Sequence, residues 1–105
     1  MKTPVLILCI DGLDPAYLEA ARTPHLDHLG RSGARSLARA VIPTVTNVNC
    51  VSLLTGSFPD THGITSNYHY DPQTGEETFM ESASFLSAPT LLERAEASEA
   101  SQPPC

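Results

Sequence analysis

Seven consecutive apolar residues, Pro4 to Ile10 (PVLILCI), stand near the start of this chain and stop abruptly at Asp11-Gly12. The run is far shorter than the ~20 residues a membrane span needs. It is also too continuous for a strand with one wet face. Such a run predicts a strand covered on both sides, as in a parallel sheet. The turn after it leads into helix signals. Asp14-Pro15 places a capping carboxylate before a proline in the first turn, so residues 15–21 are predicted helical. Thr23-Pro24 repeats the signal for HLDHLGRSG, where Leu26 and Leu29 share one face and Gly30 and Gly33 supply stop signals.

Residues 34–42 (ARSLARAVI) predict a second strand, with Leu37 and Val41 pointing inward, ended by Pro43. Val48, Val51 and Leu54 recur at helical spacing, so residues 47–54 predict a short helix closed by Gly56. Residues 57–65 read as a loop. Residues 66–81 predict a β-hairpin turning at Asp71-Pro72-Gln73-Thr74-Gly75. A last helix is expected over 90–97, and 98–105 (SEASQPPC) has the composition of a disordered tail. Alternating strands and helices indicate an α/β layer. With 105 residues there is room for one small domain, not for a two-lobed enzyme.

Charge and cysteine usage narrow the partners. The formal net charge is −6. Residues 66–105 carry all of it, which argues against a nucleic-acid backbone as partner, since such binding needs a basic face. The start lacks the apolar stretch and cleavage site of a signal peptide. Cys9, Cys50 and Cys105 are odd in number and widely spaced, which fits a reducing cytoplasmic setting better than a disulfide framework. Neither nucleic acid nor membrane is therefore the expected partner; nothing in the sequence specifies an oligomeric state.

Two positions carry chemistry best. Asp11 stands at the carboxyl end of the first predicted strand, where open α/β sheets bind ligands and a carboxylate suits a metal ion. The plainer alternative is a turn Asp bonded to nearby N–H groups. Thr46 lies where the chain leaves the second strand and enters a helix. A hydroxyl there faces the helix's unpaired N–H groups and positive pole, which stabilise an alkoxide and an attached phosphate. Thr is a weak nucleophile unless metal coordination activates it, and Asp11 and Thr46 can share one metal if both strand ends meet. The plainer alternative is that Thr46 is only an N-cap. His62 can be a ligand or general acid, but more commonly such a His is structural. His25 and His28 have no third ligand nearby, Cys9 reads as inert apolar filler in a buried strand, and Cys50 as a packing residue.

The order of these segments is more specific than any one of them. Strand–Asp11-Gly12, TPHLDHLGRSGA, Pro43-Thr44-Val45-Thr46-Asn47, Leu54-Thr55-Gly56, Pro59-Asp60-Thr61-His62-Gly63-Ile64 and Asn67 together resemble the N-terminal part of the alkaline phosphatase superfamily, in its type I phosphodiesterase and nucleotide pyrophosphatase branch. Within that branch PTVTNVNCVSLLTG and HGITSNYHYDPQTGEETFM look most like the phosphonoacetate hydrolases. The resemblance covers residues 4 to about 95. It implies an α/β fold, the incomplete N-terminal part of an alkaline-phosphatase-like sandwich, whose mostly parallel sheet is flanked by helices and accompanied by a β-hairpin. Residues 1–97 would be that part and 98–105 the tail.

The resemblance also implies roles. Asp11 would be a ligand of one of two zinc ions and Thr46 the nucleophile, lying at the metal. The backbone N–H of Asn47 and the side chain of Asn67 would hold the non-bridging oxygens of a small phosphonate or phosphate-ester substrate. Phosphonoacetate would be cleaved to acetate and phosphate through a phospho-threonine. The family's further Asp and His ligands come from later segments; the Asp-His dipeptide of this chain, Asp27-His28, stands in the early segment TPHLDHLGRSGA instead. The isolated chain is therefore expected to be inactive or nearly so. Two alternatives stand beside this reading. One is a nucleotide pyrophosphatase or phosphodiesterase, although that group tends to carry an aromatic residue after the nucleophile, where this chain has Asn47. The other is a non-catalytic truncated relic.

Overall fold

The structure is a computed structural model, and it describes residues 5–100, with side chains to Ser98. The chain forms two compact units, one up to Arg39 and one from Ala40 onward.

In the first unit, α1 (Pro15–Ala20) and α2 (Pro24–Ser32) start where the proline signals place them. The Asp14 carboxylate accepts from the Ala16 N–H at 2.8 Å, satisfying one donor that the helix cannot. Thr23 instead turns its hydroxyl to Asp27, at 3.1 Å. The Gly33 N–H closes α2 on the Leu29 carbonyl at 2.9 Å. An apolar groove of about 480 Å³ runs between the helices, lined by Leu13, Leu18, Leu26, Leu29 and Leu37.

The two strands predicted at 4–10 and 34–42 are not formed as ladders among the described residues. Pro4 lies outside those residues. Val5 and Leu6 are 86% and 88% exposed, Leu37 is exposed, and Cys9, expected in a covered interior, is exposed too. The reason is physical. A strand is completed by hydrogen bonds to a neighbour, and an all-apolar strand by layers on both faces. Residues 5–39 supply neither, and no side chain among them is buried.

The second unit holds the core. Val48, Ile64 and Met80 are buried, with Val41, Val45, Val51, Phe85 and Leu86 packed around them. Helix α3 (Thr46–Thr55) presents Val48 and Val51 to this cluster, while Leu54 stays exposed. Gly56 ends α3 at φ 64°, a left-handed conformation that costs glycine little. A single helical turn, α4 (Pro59–His62), occupies part of the expected loop. Gly63 follows it at φ 85°, and a Cβ there would stand 2.7 Å from the Phe85 carbonyl oxygen, so both conformation and space require glycine.

The hairpin forms as expected. Strands β1 (Tyr68–Tyr70) and β2 (Glu77–Phe79) pair antiparallel with Tyr68 opposite Phe79, His69 opposite Thr78 and Tyr70 opposite Glu77. Tyr68 and Phe79 meet edge to face, ring centres 5.3 Å apart. In the turn, bonds from the Gln73 N–H and Thr74 hold the Asp71 carboxyl below its ordinary pKa. Helix α5 (Leu91–Ala100) opens on a capping box: the Glu93 carboxylate accepts from the Thr90 N–H and hydroxyl, and the Glu93 N–H returns to the Thr90 oxygen. The expected boundary at 97 falls within α5, and residues 101–105 lie outside the described residues.

Candidate active site

Thr46 is the first residue of α3 and is exposed. The N-cap is Val45, extended at φ −106° and ψ 157°, and it offers no side-chain cap. The plain capping role considered for Thr46 thus falls one residue earlier. No acidic residue lies in the first turn, so the positive pole of α3 is not neutralised from within the helix.

The site assembles around the next residue. The Asn47 N–H donates to Asn67 Oδ1 at 2.9 Å, and Asn47 Nδ2 donates to the Met80 carbonyl at 3.1 Å. Met80 in turn donates its N–H to the Asn67 carbonyl, at 2.9 Å. Helix α3, the residue before β1 and the residue after β2 are therefore tied together within two side-chain amides. The two asparagines named from sequence do meet, and Thr46 adjoins them. Because the Asn47 N–H holds Oδ1, the donor end of the Asn67 amide is the end not committed to α3. Asp11, in the first unit, is exposed on the turn made by Gly12 at φ 72°.

His62 is fully buried and is a structural residue. Its Nδ1 accepts from the Ile64 N–H at 3.1 Å, so Nε2 carries the proton and donates to Ser52 Oγ at 2.9 Å. Ser52 passes its own hydrogen to the Val48 carbonyl at 2.7 Å. Both ring nitrogens are engaged, which leaves neither for a metal or for base catalysis. Burial pushes the His62 pKa down, against a smaller upward pull from Asp60.

Asn49 carries a role that sequence reasoning missed. Its Oδ1 accepts from the Val41 N–H at 2.7 Å, and its Nδ2 faces the carbonyls of Val41 and Val45 at 3.2 Å each and of Pro43 at 3.5 Å. The one available signal was a second polar amide in the apolar-spaced helix, at Asn47-Val48-Asn49.

Among the described residues no three His, Cys, Asp or Glu side chains gather to hold a metal ion. His25 and His28 are included in that statement. A catalytic zinc site uses three protein ligands. Asp11 stands in no such group, so the described residues do not by themselves fit zinc. No helix among them is long and apolar enough to cross a membrane.

A model of the family described as type I phosphodiesterase / nucleotide pyrophosphatase matches residues 5–100. The chain belongs to this family. Among its relatives, the venom phosphodiesterase of Naja atra is 31% identical over 90 residues, which is 83% of this chain and 11% of that protein. The venom phosphodiesterase of Macrovipera lebetinus is 36% identical over 73 residues, 67% of this chain and 9% of that one. Phosphonoacetate hydrolase from Sinorhizobium meliloti 1021, solved with phosphonoformate, superposes with a TM-score of 0.72 at 46% identity; the match covers 85% of this chain and 23% of the hydrolase. This family member thus has the alkaline-phosphatase-like α/β fold over the matched part, although two of its expected strands lack ladders. It spans about a quarter of the solved hydrolase's length and less of the curated relatives.

Proposed function

We propose that the chain supplies the phosphoryl-accepting part of a zinc-dependent phosphonoacetate hydrolase and is catalytically silent alone. One observation carries this reading. Thr46 heads an uncapped helix beside an Asn67 amide whose oxygen the Asn47 N–H holds, with the donor end left for an anion. Thr46 Oγ1 would attack phosphorus in line, its proton passing to water. The P–C bond breaks, its electron pair leaves with the carbon, and that carbon takes a proton from water to become acetate. Water then displaces the phosphoryl group from phospho-Thr46, releasing phosphate and restoring the hydroxyl. Asn67 Nδ2 would donate to a non-bridging oxygen as charge grows there. For the Asn47 N–H to join it, the bond to Asn67 Oδ1 must be exchanged for one to substrate.

Asp11 and Thr46 would be zinc ligands, completed by groups from outside this chain. Zinc would supply charge stabilisation and a lowered hydroxyl pKa. We place the protein in the cytoplasm on its few, widely spaced cysteines.

A second reading, a nucleotide pyrophosphatase or phosphodiesterase, draws support from the venom relatives. Asn47 weighs against it. Its side chain is spent on Met80 and presents no apolar plate on which a nucleobase could stack. The test is a chimera in which this chain replaces the matching part of the S. meliloti hydrolase, assayed for phosphate release from phosphonoacetate and for cleavage of a nitrophenyl phosphodiester. Preference for phosphonoacetate supports the proposal. Preference for the diester supports the second reading, and a folded, zinc-loaded chimera active on neither rejects both.

A further inference from the structure

Helix α3 begins without a capping side chain, because Val45 has none to offer. Something else must fix the angle at which the chain turns into the helix. The four contacts of Asn49 do this. Residue 49 is the fourth helical position, and its amide reaches back over the first turn to the irregular segment 41–45. Oδ1 and Nδ2 engage the N–H and the carbonyl of Val41, at 2.7 and 3.2 Å, as a neighbouring strand would. The NH2 group has only two hydrogens for three carbonyls. Val41 and Val45, both at 3.2 Å, take them, and Pro43 at 3.5 Å is a weak third. The Val45 N–H closes the intervening bend on the Pro43 carbonyl at 2.9 Å. On the other side of Thr46, Asn47 is held by Asn67. Thr46 is thus the residue between two backbone anchors, each made by an asparagine side chain.

We infer that Asn49 is a positioning residue, which sets the backbone of Val45 and Thr46 and so the direction of the Thr46 hydroxyl. The functional weight of this inference rests on the reading of Thr46 as nucleophile; its geometry does not. Asn49 touches no reacting atom. Misplacement of a nucleophile by about 1 Å can cost about 10²-fold in rate, so a clamp at this point matters more than its contribution to stability.

The test uses the full 105-residue chain and nuclear magnetic resonance. In Asn49→Ala the Val41 amide should exchange roughly tenfold faster, the effect of losing one hydrogen bond. The three-bond HN–Hα couplings of Val45 and Thr46 should move toward averaged values, while methyl shifts of Val48, Ile64 and Met80 hold. Should this variant lose the core, Asn49→Asp gives the same reading: it keeps the acceptor for Val41, which stays protected, and removes the donors, which frees Val45 and Thr46. Couplings at Val45 and Thr46 that stay at wild-type values in whichever variant retains the core overturn the inference and leave Asn49 a mere stabiliser. These couplings do not depend on phosphoryl transfer. Failure of the nucleophile reading would appear instead as undiminished turnover by Thr46→Ala in the chimera.

Discussion

The backbone N–H of Asn47 and the side-chain oxygen of Asn67 stand 2.9 Å apart, twenty residues distant along the chain. This bond orients an amide that would otherwise be free to turn, and it decides which end a ligand meets. The consequence is a separation of roles that mutation can expose.

Asn67→Asp keeps the acceptor for the Asn47 N–H and replaces the donor end with negative charge. In the hydrolase chimera it should leave the start of α3 intact yet reduce kcat/KM for phosphonoacetate by about 10²-fold or more, since an oxyanion donor becomes a repulsive carboxylate. Steady-state kinetics alongside the Asn47 amide shift check both halves. Full activity in Asn67→Asp would remove Asn67 from the site.

His62 gives the second unit a pH dependence of definite sign. Its folded pKa lies below the ordinary 6.5 because burial disfavours the charged ring. The unfolded chain therefore binds the extra proton first as pH falls. Its contribution is full above about pH 6.5 and is lost progressively as pH drops toward the folded value. Urea midpoints should fall between about pH 7 and about pH 5, the range in which histidine titrates. In His62→Gln that part of the slope should vanish, with a loss of roughly 2–4 kcal/mol for a buried, doubly bonded side chain.

Gly56 and Gly63 both adopt left-handed backbone, yet they should not tolerate alanine equally. Around Gly56 nothing lies within 4 Å of an added Cβ, so Gly56→Ala should cost about 1 kcal/mol. At Gly63 the Cβ would meet the Phe85 carbonyl at 2.7 Å and Ser87 Oγ at 2.9 Å, and the Ser87 N–H to His62 bond would be displaced with them. Gly63→Ala should cost about 3 kcal/mol or more. Thermal midpoints of the two variants make the comparison directly.

Local chemistry is what the sequence displays best. Asp14-Pro15 marks a helix start because the cap and its donor lie two residues apart, and Thr23-Pro24 does so through the proline in the first turn, although Thr23 itself makes no cap bond. Asp71 to Gly75 marks the hairpin just as locally. The runs at 4–10 and 34–42 look like strands because apolarity is local, but a ladder needs a partner, and that is a property of the rest of the fold. Asn67 could be singled out only through the family resemblance. Asn49 could not, because its partners sit four to eight residues back in a segment without periodicity. Nor could the burial of His62, which depends on Ser52 and Ile64 closing around both nitrogens.

Zinc binding separates the partial donor set from a complete one. Among the described residues no three His, Cys, Asp or Glu gather, whereas zinc favours three protein ligands. Calorimetric titration of the chain alone should show weak binding at most. A tight site with two zinc ions per chain would contradict the proposed incompleteness.

The decisive measurement is phosphonoacetate turnover by the chimera carrying Thr46→Ala, with zinc content measured on the same sample. A lost nucleophile should lower kcat by about 10⁴-fold or more, with zinc nearly unchanged. Hydrolysis at the parental rate would contradict Thr46 as the group that accepts the phosphoryl.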